Sequence, residues 1–87
     1  MQQIAIKIIE KSGYNLYLAK DKNNIKYHIE DKRSFKIGNY YKIDLIIENR
    51  KLGMLGSKER KLIKDIQDLQ VINNRLCFMD GSIFKSS

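Results

Sequence analysis

The chain has 87 residues, enough for one domain with a modest hydrophobic core. Its hydrophobic content of 43% is near that of globular proteins and argues against a disordered chain. Lysine and arginine outnumber aspartate and glutamate by 17 to 10, and the net charge of +7 favours a polyanionic partner. That partner could be a nucleic acid, an anionic membrane surface or an acidic protein, and the alternative is that the lysines only solvate the surface.

Cysteine content and hydropathy indicate the compartment. The chain has one cysteine, Cys77, so an intramolecular disulfide is excluded and a reducing compartment is expected. No segment approaches the roughly 20 apolar residues of a membrane-spanning helix. The start "MQQIAIKIIEKSG" lacks the positively charged segment that begins a signal peptide. We therefore expect a soluble, cytoplasmic protein that does not bind membranes.

Three short strands are predicted first, in "QIAIKIIE", "YNLYLAK" and "IKYHIE". Apolar and polar residues alternate in each, and β-branched residues are frequent, as is typical of strands. Polar turns rich in glycine, asparagine and aspartate separate them. On this pattern Lys7, Tyr17, Lys26 and His28 point to the polar sides of their strands.

A long fourth strand is predicted after Gly38 and Asn39. Tyr41, Ile43, Leu45 and Ile47 alternate with Lys42, Asp44, Ile46 and Glu48. A basic turn follows, and "KLGML" is predicted to return as a short fifth strand.

The hydrophobic period changes after Gly56. Leu62, Ile63, Ile66 and Leu69 recur at three- and four-residue spacing after Ser57, a suitable N-cap, which predicts an amphipathic helix of about three turns. Asp80-Gly81 between two short apolar runs then predicts a β-hairpin. The predicted fold is mainly β with one helix: a small barrel of about five strands over residues 1–56, followed by a helix and hairpin over residues 57–87. The latter would pack on the barrel or complete it within one compact domain.

Four motifs between residues 4 and 56 resemble the S1-like RNA-binding domain of the OB-fold group. "GYNLYL" resembles the first hairpin of that family, and His28-Ile29 in "IKYHI" occurs where the family has histidine followed by isoleucine. "KIGNYYKIDLI" resembles its glycine-led strand, and "NRKLGML" resembles its last strand. The resemblance implies an OB-like barrel whose second and third strands face nucleic acid.

Such a surface combines a basic groove for phosphates with aromatic rings for bases. The predicted nucleic-acid-binding residues are Lys7, Tyr17, Lys26, His28, Arg33, Tyr40 and Lys42. Tyr17 and Tyr40 would stack on bases, and the fork of Arg33 would bind two phosphate oxygens. Tyr17 could instead pack in the core, and His28 could be a solvated surface residue. A continuous basic groove through Lys7, Lys26, His28 and Lys42 would support the site, whereas scattered lysines would oppose it.

The sequence therefore predicts a non-catalytic protein that binds single-stranded nucleic acid, RNA in preference to DNA, with little sequence specificity. It contains no catalytic motif, implies no cofactor, and with one histidine and one cysteine cannot build a metal site. The alternative is a small protein-binding module, either an accessory subunit or an inhibitor from a phage or mobile element. Its basic face would meet an acidic protein, and Leu62, Ile66 and Leu69 would contact the partner. Self-association through a strand edge is a third hypothesis.

Overall fold

The computed structural model describes residues 2–51 and 56–85, which form one antiparallel sheet of six strands in the order β3-β2-β1-β4-β5-β6. The strands are β1 (Gln2–Gly13), β2 (Leu16–Lys20), β3 (Lys26–Glu30), β4 (Tyr40–Lys51), β5 (Ser57–Ile72) and β6 (Arg75–Phe78). The described residues include no helix that is long and apolar enough to cross a membrane.

The predicted helix after Gly56 is wrong, because these residues form β5. β5 pairs with β4 along most of its length, and Asp65 interrupts the pairing as an extra residue with a φ of 51°. The insertion of one residue turns Ile63 and Ile66 to the same face, although residues three apart in a regular strand face opposite sides. Both isoleucines pack against the hydrophobic core. The three-residue spacing that resembled a helix is therefore the trace of a β-bulge.

The predicted OB-like barrel of about five strands is also wrong, because the six strands form one sheet that does not close. β3 and β6 are the two edges of the sheet, and in the described part of the chain β3 pairs with β2 alone. The sheet nevertheless curls, so that β5 approaches β3 through side chains. The Nζ of Lys61 lies 5.3 Å from the ring centroid of Tyr27. The Nη1 of Arg33, in the loop after β3, donates a hydrogen bond to the carbonyl oxygen of Ile66 at 3.1 Å.

One face of the sheet, here called the core face, carries the hydrophobic core. The loop 31–39 lays Phe35 over this face, and its ring makes edge contacts with Tyr17 at 5.1 Å and Tyr41 at 4.8 Å between centroids. The buried residues of this cluster are Ile6, Ile8, Tyr17, Ala19, Tyr27, Ile29, Phe35, Tyr41, Ile43 and Leu45. The opposite side of the sheet is here called the outer face.

Two turns connect the C-terminal segments of the sheet. Asn73 and Asn74 both have positive φ and join β5 to β6, as a two-residue hairpin turn requires. The second turn lies one residue before the predicted Asp80-Gly81 position: its central residues are Met79 and Asp80, since the N–H of Gly81 donates to the carbonyl oxygen of Phe78. Its returning segment forms one bridge, between Cys77 and Ile83. The strand predicted at 51–55 lies outside the described residues except for Lys51, which ends β4.

Candidate nucleic-acid interface

A single row of directly opposed residues crosses the sheet on its outer face. Lys26 of β3 is opposite Lys20 of β2, and Lys20 is opposite Lys7 of β1. Lys7 is opposite Tyr40 of β4, from which the row continues through β5 to β6. We call these residues the cross-strand row: Lys26, Lys20, Lys7, Tyr40, Leu69 and Phe78.

The three lysines of the row form an uncompensated positive cluster. Neighbouring strands are about 4.8 Å apart, and like charges directly opposite each other destabilise a sheet. None of the ion pairs among residues 2–51 and 56–85 involves Lys7, Lys20 or Lys26. Lys26 is exposed and the other two are half-buried, so the charge is held at the surface. An anionic ligand would relieve the repulsion that the fold itself leaves in place.

Beyond the lysines the row becomes aromatic and apolar. Tyr40 is half-buried, and the Nζ of Lys7 lies 5.8 Å from its ring centroid. Leu69 is buried beside it, and Phe78 at the far end contacts Phe84 with ring centroids 5.9 Å apart. Tyr40 therefore lies between the lysines and a hydrophobic patch, and an aromatic ring beside basic residues is the combination that binds single strands.

The row unites some of the predicted site residues. Lys7, Lys26 and Tyr40 belong to it, and His28 is exposed two residues along β3 from Lys26, opposite Leu18. Because alternate residues of a strand share a face, His28 extends the same surface. Lys7, Lys26 and His28 of the predicted groove thus share the outer face, with Lys20 in the position that joins Lys7 to Lys26.

Tyr17 is not on this surface. It pairs with Ile29 on the core face, and only 4% of its surface is exposed. The sequence placed it on the polar side because β2 is apolar on both faces, with Leu16 and Leu18 half-buried on the outer face. Alternation alone therefore could not choose between the two faces, and Tyr17 is a core residue.

Lys42 shares the outer face with the row but is buried, with 2% of its surface exposed. Its Nζ donates hydrogen bonds to Asp44 at 3.1 Å and to Asp65 at 2.8 Å. Burial by itself lowers the pKa of Lys42, but the hydrogen bonds to Asp65 and Asp44 outweigh it and the pKa is raised. Lys42 is therefore charged, and its charge is balanced by two carboxylates. It cannot bind a phosphate without losing its hydrogen bonds to Asp44 and Asp65.

The guanidinium of Arg33 also makes its contacts within the protein. Its Nε lies 3.5 Å from Asp31, its Nη1 donates to the carbonyl oxygen of Ile66, and its guanidinium covers the ring of Phe35 at 5.4 Å. These contacts hold the loop 31–39 against β5 over the core. Arg33 is therefore separated from the cross-strand row by the sheet.

Lys20 is the member of the surface that sequence reasoning missed. It is the last residue of the alternating segment "YNLYLAK" and of β2, and it is not among the predicted binding residues. Its position between Lys7 and Lys26 depends on the register of two ladders. The only signal available in the sequence was its place at the end of a predicted strand.

The residues predicted for a protein partner do not form one exposed surface. Leu69 is buried with 7% of its surface exposed, and Ile66 packs against the core. Leu62 is half-buried on the outer face, where it pairs with Ile46. The helical face that would have joined them does not exist.

The described residues contain no group of three or more histidine, cysteine, aspartate or glutamate side chains that could hold a metal ion. Comparison with protein-family models, curated proteins and solved structures finds no match. The assignment of a function therefore depends on the geometry of the outer face.

Proposed function

We propose that the protein is a non-catalytic, cytoplasmic nucleic-acid-binding protein whose outer face binds single-stranded RNA or DNA with little sequence specificity. The observation that carries this proposal is the cross-strand row, in which Lys26, Lys20 and Lys7 lie opposite one another, have no carboxylate partner within the described residues, and are followed by Tyr40. The S1-like resemblance of the sequence supports the same kind of ligand, with RNA preferred to DNA.

The residues of the row contribute to binding in different ways. The lysines neutralise phosphates and supply most of the affinity, and Tyr40 provides a ring on which a base stacks in place of the Lys7 ammonium. His28 adds a hydrogen-bonding group along β3. Ammonium groups and an aromatic face do not distinguish one base from another, which is why low specificity is expected.

The test compares two triple variants with the same net charge. Lys7→Glu/Lys20→Glu/Lys26→Glu reverses the row, and Lys32→Glu/Lys36→Glu/Lys85→Glu changes exposed lysines outside it. We expect the row variant to bind a fluorescently labelled oligouridylate at least about tenfold more weakly than the control variant, with its salt dependence reduced by a slope of about 2. Fluorescence anisotropy at several salt concentrations measures both quantities, and circular dichroism confirms that each variant is folded.

Tyr40→Ala and Tyr40→Phe separate stacking from charge in the same assay. Loss of the ring should cost about 1–3 kcal/mol of binding free energy without changing the salt slope, whereas Tyr40→Phe should bind as the unmodified protein does. Equal weakening by the row and control variants would contradict the proposal, because the net charge and not the row would then determine binding. Wild-type binding that is independent of salt would also contradict it.

The alternative, a protein-binding module, predicts a different ligand. Two results together would show that the ligand is a protein and not a nucleic acid. An acidic protein would remain bound at fixed stoichiometry after nuclease treatment, and the chain would have no measurable affinity for an oligonucleotide. Isolation of the chain with its partners from a nuclease-treated lysate provides this comparison.

A further inference from the structure

The ladder between β1 and β2 ends before β1 does. Its last pair is Lys7 with Lys20, after which the chain leaves the sheet in a turn that begins at Asp21. Ile4, Ala5 and Ile6 pair with β4 on the other side of β1. Among the described residues no strand pairs with Ala5 on the β2 side, so β1 has an open edge at this residue although it is an inner strand of the sheet.

The backbone of Ala5 faces this open side. The N–H of Ile8 donates to the carbonyl oxygen of Asn39 at 3.0 Å, so Ile8 turns its polar groups toward the β4 side. In an antiparallel pair alternate residues turn the same way, so Ile6 and Ile4 also bond toward β4. Ala5 points its N–H and C=O in the opposite direction, where β2 would lie if it were longer. An exposed pair of this kind is a template for another extended chain.

A groove of about 750 Å³ surrounds the edge, which is the size of a ligand site and far larger than a packing defect. It reaches both faces of the sheet. On the core-face side it is lined by apolar residues, Ile4, Ile6 and Leu45. On the outer-face side it is lined by Ala5, Lys7 and Tyr40, with Lys20 at the end of β2. Successive side chains of an added strand would therefore enter an apolar and a basic environment in turn.

The charge of the groove favours an acidic occupant. Its lining includes Asp21 and Glu59 as the acidic residues, against five basic residues: Lys7, Lys20, Lys22, Lys61 and Arg75. Asp21 already accepts hydrogen bonds from the hydroxyl of Tyr27 at 2.9 Å and from the N–H groups of Asn23 and Ile25. A second copy of this chain would bring the same positive charge to the edge. Nucleic acid lacks the alternating N–H and C=O groups that would pair with Ala5.

We propose that the open edge at Ala5 binds an extended acidic peptide, which adds to the sheet as a strand beside β1 and in line with β2. The backbone of the peptide pairs with the N–H and C=O of Ala5. Its apolar side chains pack against Ile4 and Ile6, and its carboxylates on the outer face meet Lys7 and Lys20. Since these two lysines also belong to the cross-strand row, the peptide competes with an oligonucleotide for them.

The experiment uses a synthetic peptide of about six residues, the usual length of a strand, in which valine and glutamate alternate. A peptide of alternating valine and lysine is the charge control. The Ala5→Pro variant removes the outward N–H without removing a bond to β4, and Ala5→Ser is its matched control because it keeps that N–H. Amide NMR titrations measure affinity and identify the residues that respond.

We expect the valine–glutamate peptide to shift the Ala5 amide resonance and to slow its hydrogen exchange. Ala5→Pro should weaken peptide binding at least about tenfold, since the backbone pairing that supplies affinity in strand addition is lost. Ala5→Ser should bind the peptide as the unmodified chain does. Both variants should retain oligonucleotide binding, so failure of this proposal is distinguishable from failure of the proposed function.

Three results would overturn the proposal. The first is an Ala5 amide that does not respond to the acidic peptide, which needs only the unmodified chain and so holds even if Ala5→Pro does not fold. The second is equal binding of the valine–lysine peptide. The third is concentration-dependent dimerisation in sedimentation that Ala5→Pro abolishes, which would assign the edge to a second copy of the chain.

Discussion

The lysines on the outer face of the sheet lie in two different environments. Lys42 is almost fully buried and hydrogen-bonded to Asp44 and Asp65, whereas Lys7 and Lys20, in the next register positions, have no carboxylate partner among the described residues. A buried charge must be paired, because desolvation of an unpaired ion costs several kcal/mol. A charge at the surface need not be paired, and so only Lys7 and Lys20 are free to bind a ligand. The separation of these roles is what the following variants test.

The largest expected effect is that of Lys42→Met on folding. It leaves the buried carboxylate of Asp44 without its cation, and we expect the free energy of unfolding to fall by about 3 kcal/mol. Lys42→Met/Asp44→Leu should recover most of this loss, because it removes both charges together. Urea unfolding measures both variants. A loss below about 1 kcal/mol for the single variant would show that the cluster contributes little to stability.

Acid should break the same cluster without involving the cross-strand row. The hydrogen bond from Lys42 lowers the pKa of Asp65 below its ordinary value of 3.8. A carboxylate with a lowered pKa stabilises the fold fully above its unfolded value, and this contribution disappears as the pH falls through the lowered pKa. The free energy of unfolding should therefore decline below pH 3.8. Asp65→Asn should show a shallower decline over that range, and an identical pH profile would contradict the assignment.

The smallest expected effect is that of Lys20→Met on folding. Removal of the central lysine of the row relieves repulsion with Lys7 and Lys26, so stability should be unchanged or should rise by a few tenths of a kcal/mol. Oligonucleotide affinity should fall in the same variant. If urea unfolding showed a loss above about 1 kcal/mol, Lys20 would have a stabilising partner and would resemble Lys42 more than Lys7.

The positions of the first four strands along the chain could be predicted from alternation. The segments around Ile6, Ile29 and Ile43 are strands, and each of these isoleucines faces the core as the pattern indicated. The prediction failed where a strand departs from period two, as at Asp65, or where both of its faces are apolar, as around Tyr17. In each case the face on which a residue lies is determined by pairing with the neighbouring strand and not by the sequence of the segment itself.

The sequence by itself determined that the chain is β-rich and basic and where its first four strands lie, since side-chain alternation is a local property of the backbone. Only the tertiary structure decided which charges meet. The distances between Lys26, Lys20 and Lys7 depend on the registers of two ladders, and the neutralisation of Lys42 depends on the bulge that brings Asp65 to it. Register is set by the packing of whole strands, because a shift of one residue would reverse every side chain on a face. For that reason the sequence could indicate Lys7, Lys26 and Tyr40, but it could not show that Lys20 joins them or that Lys42 is neutralised.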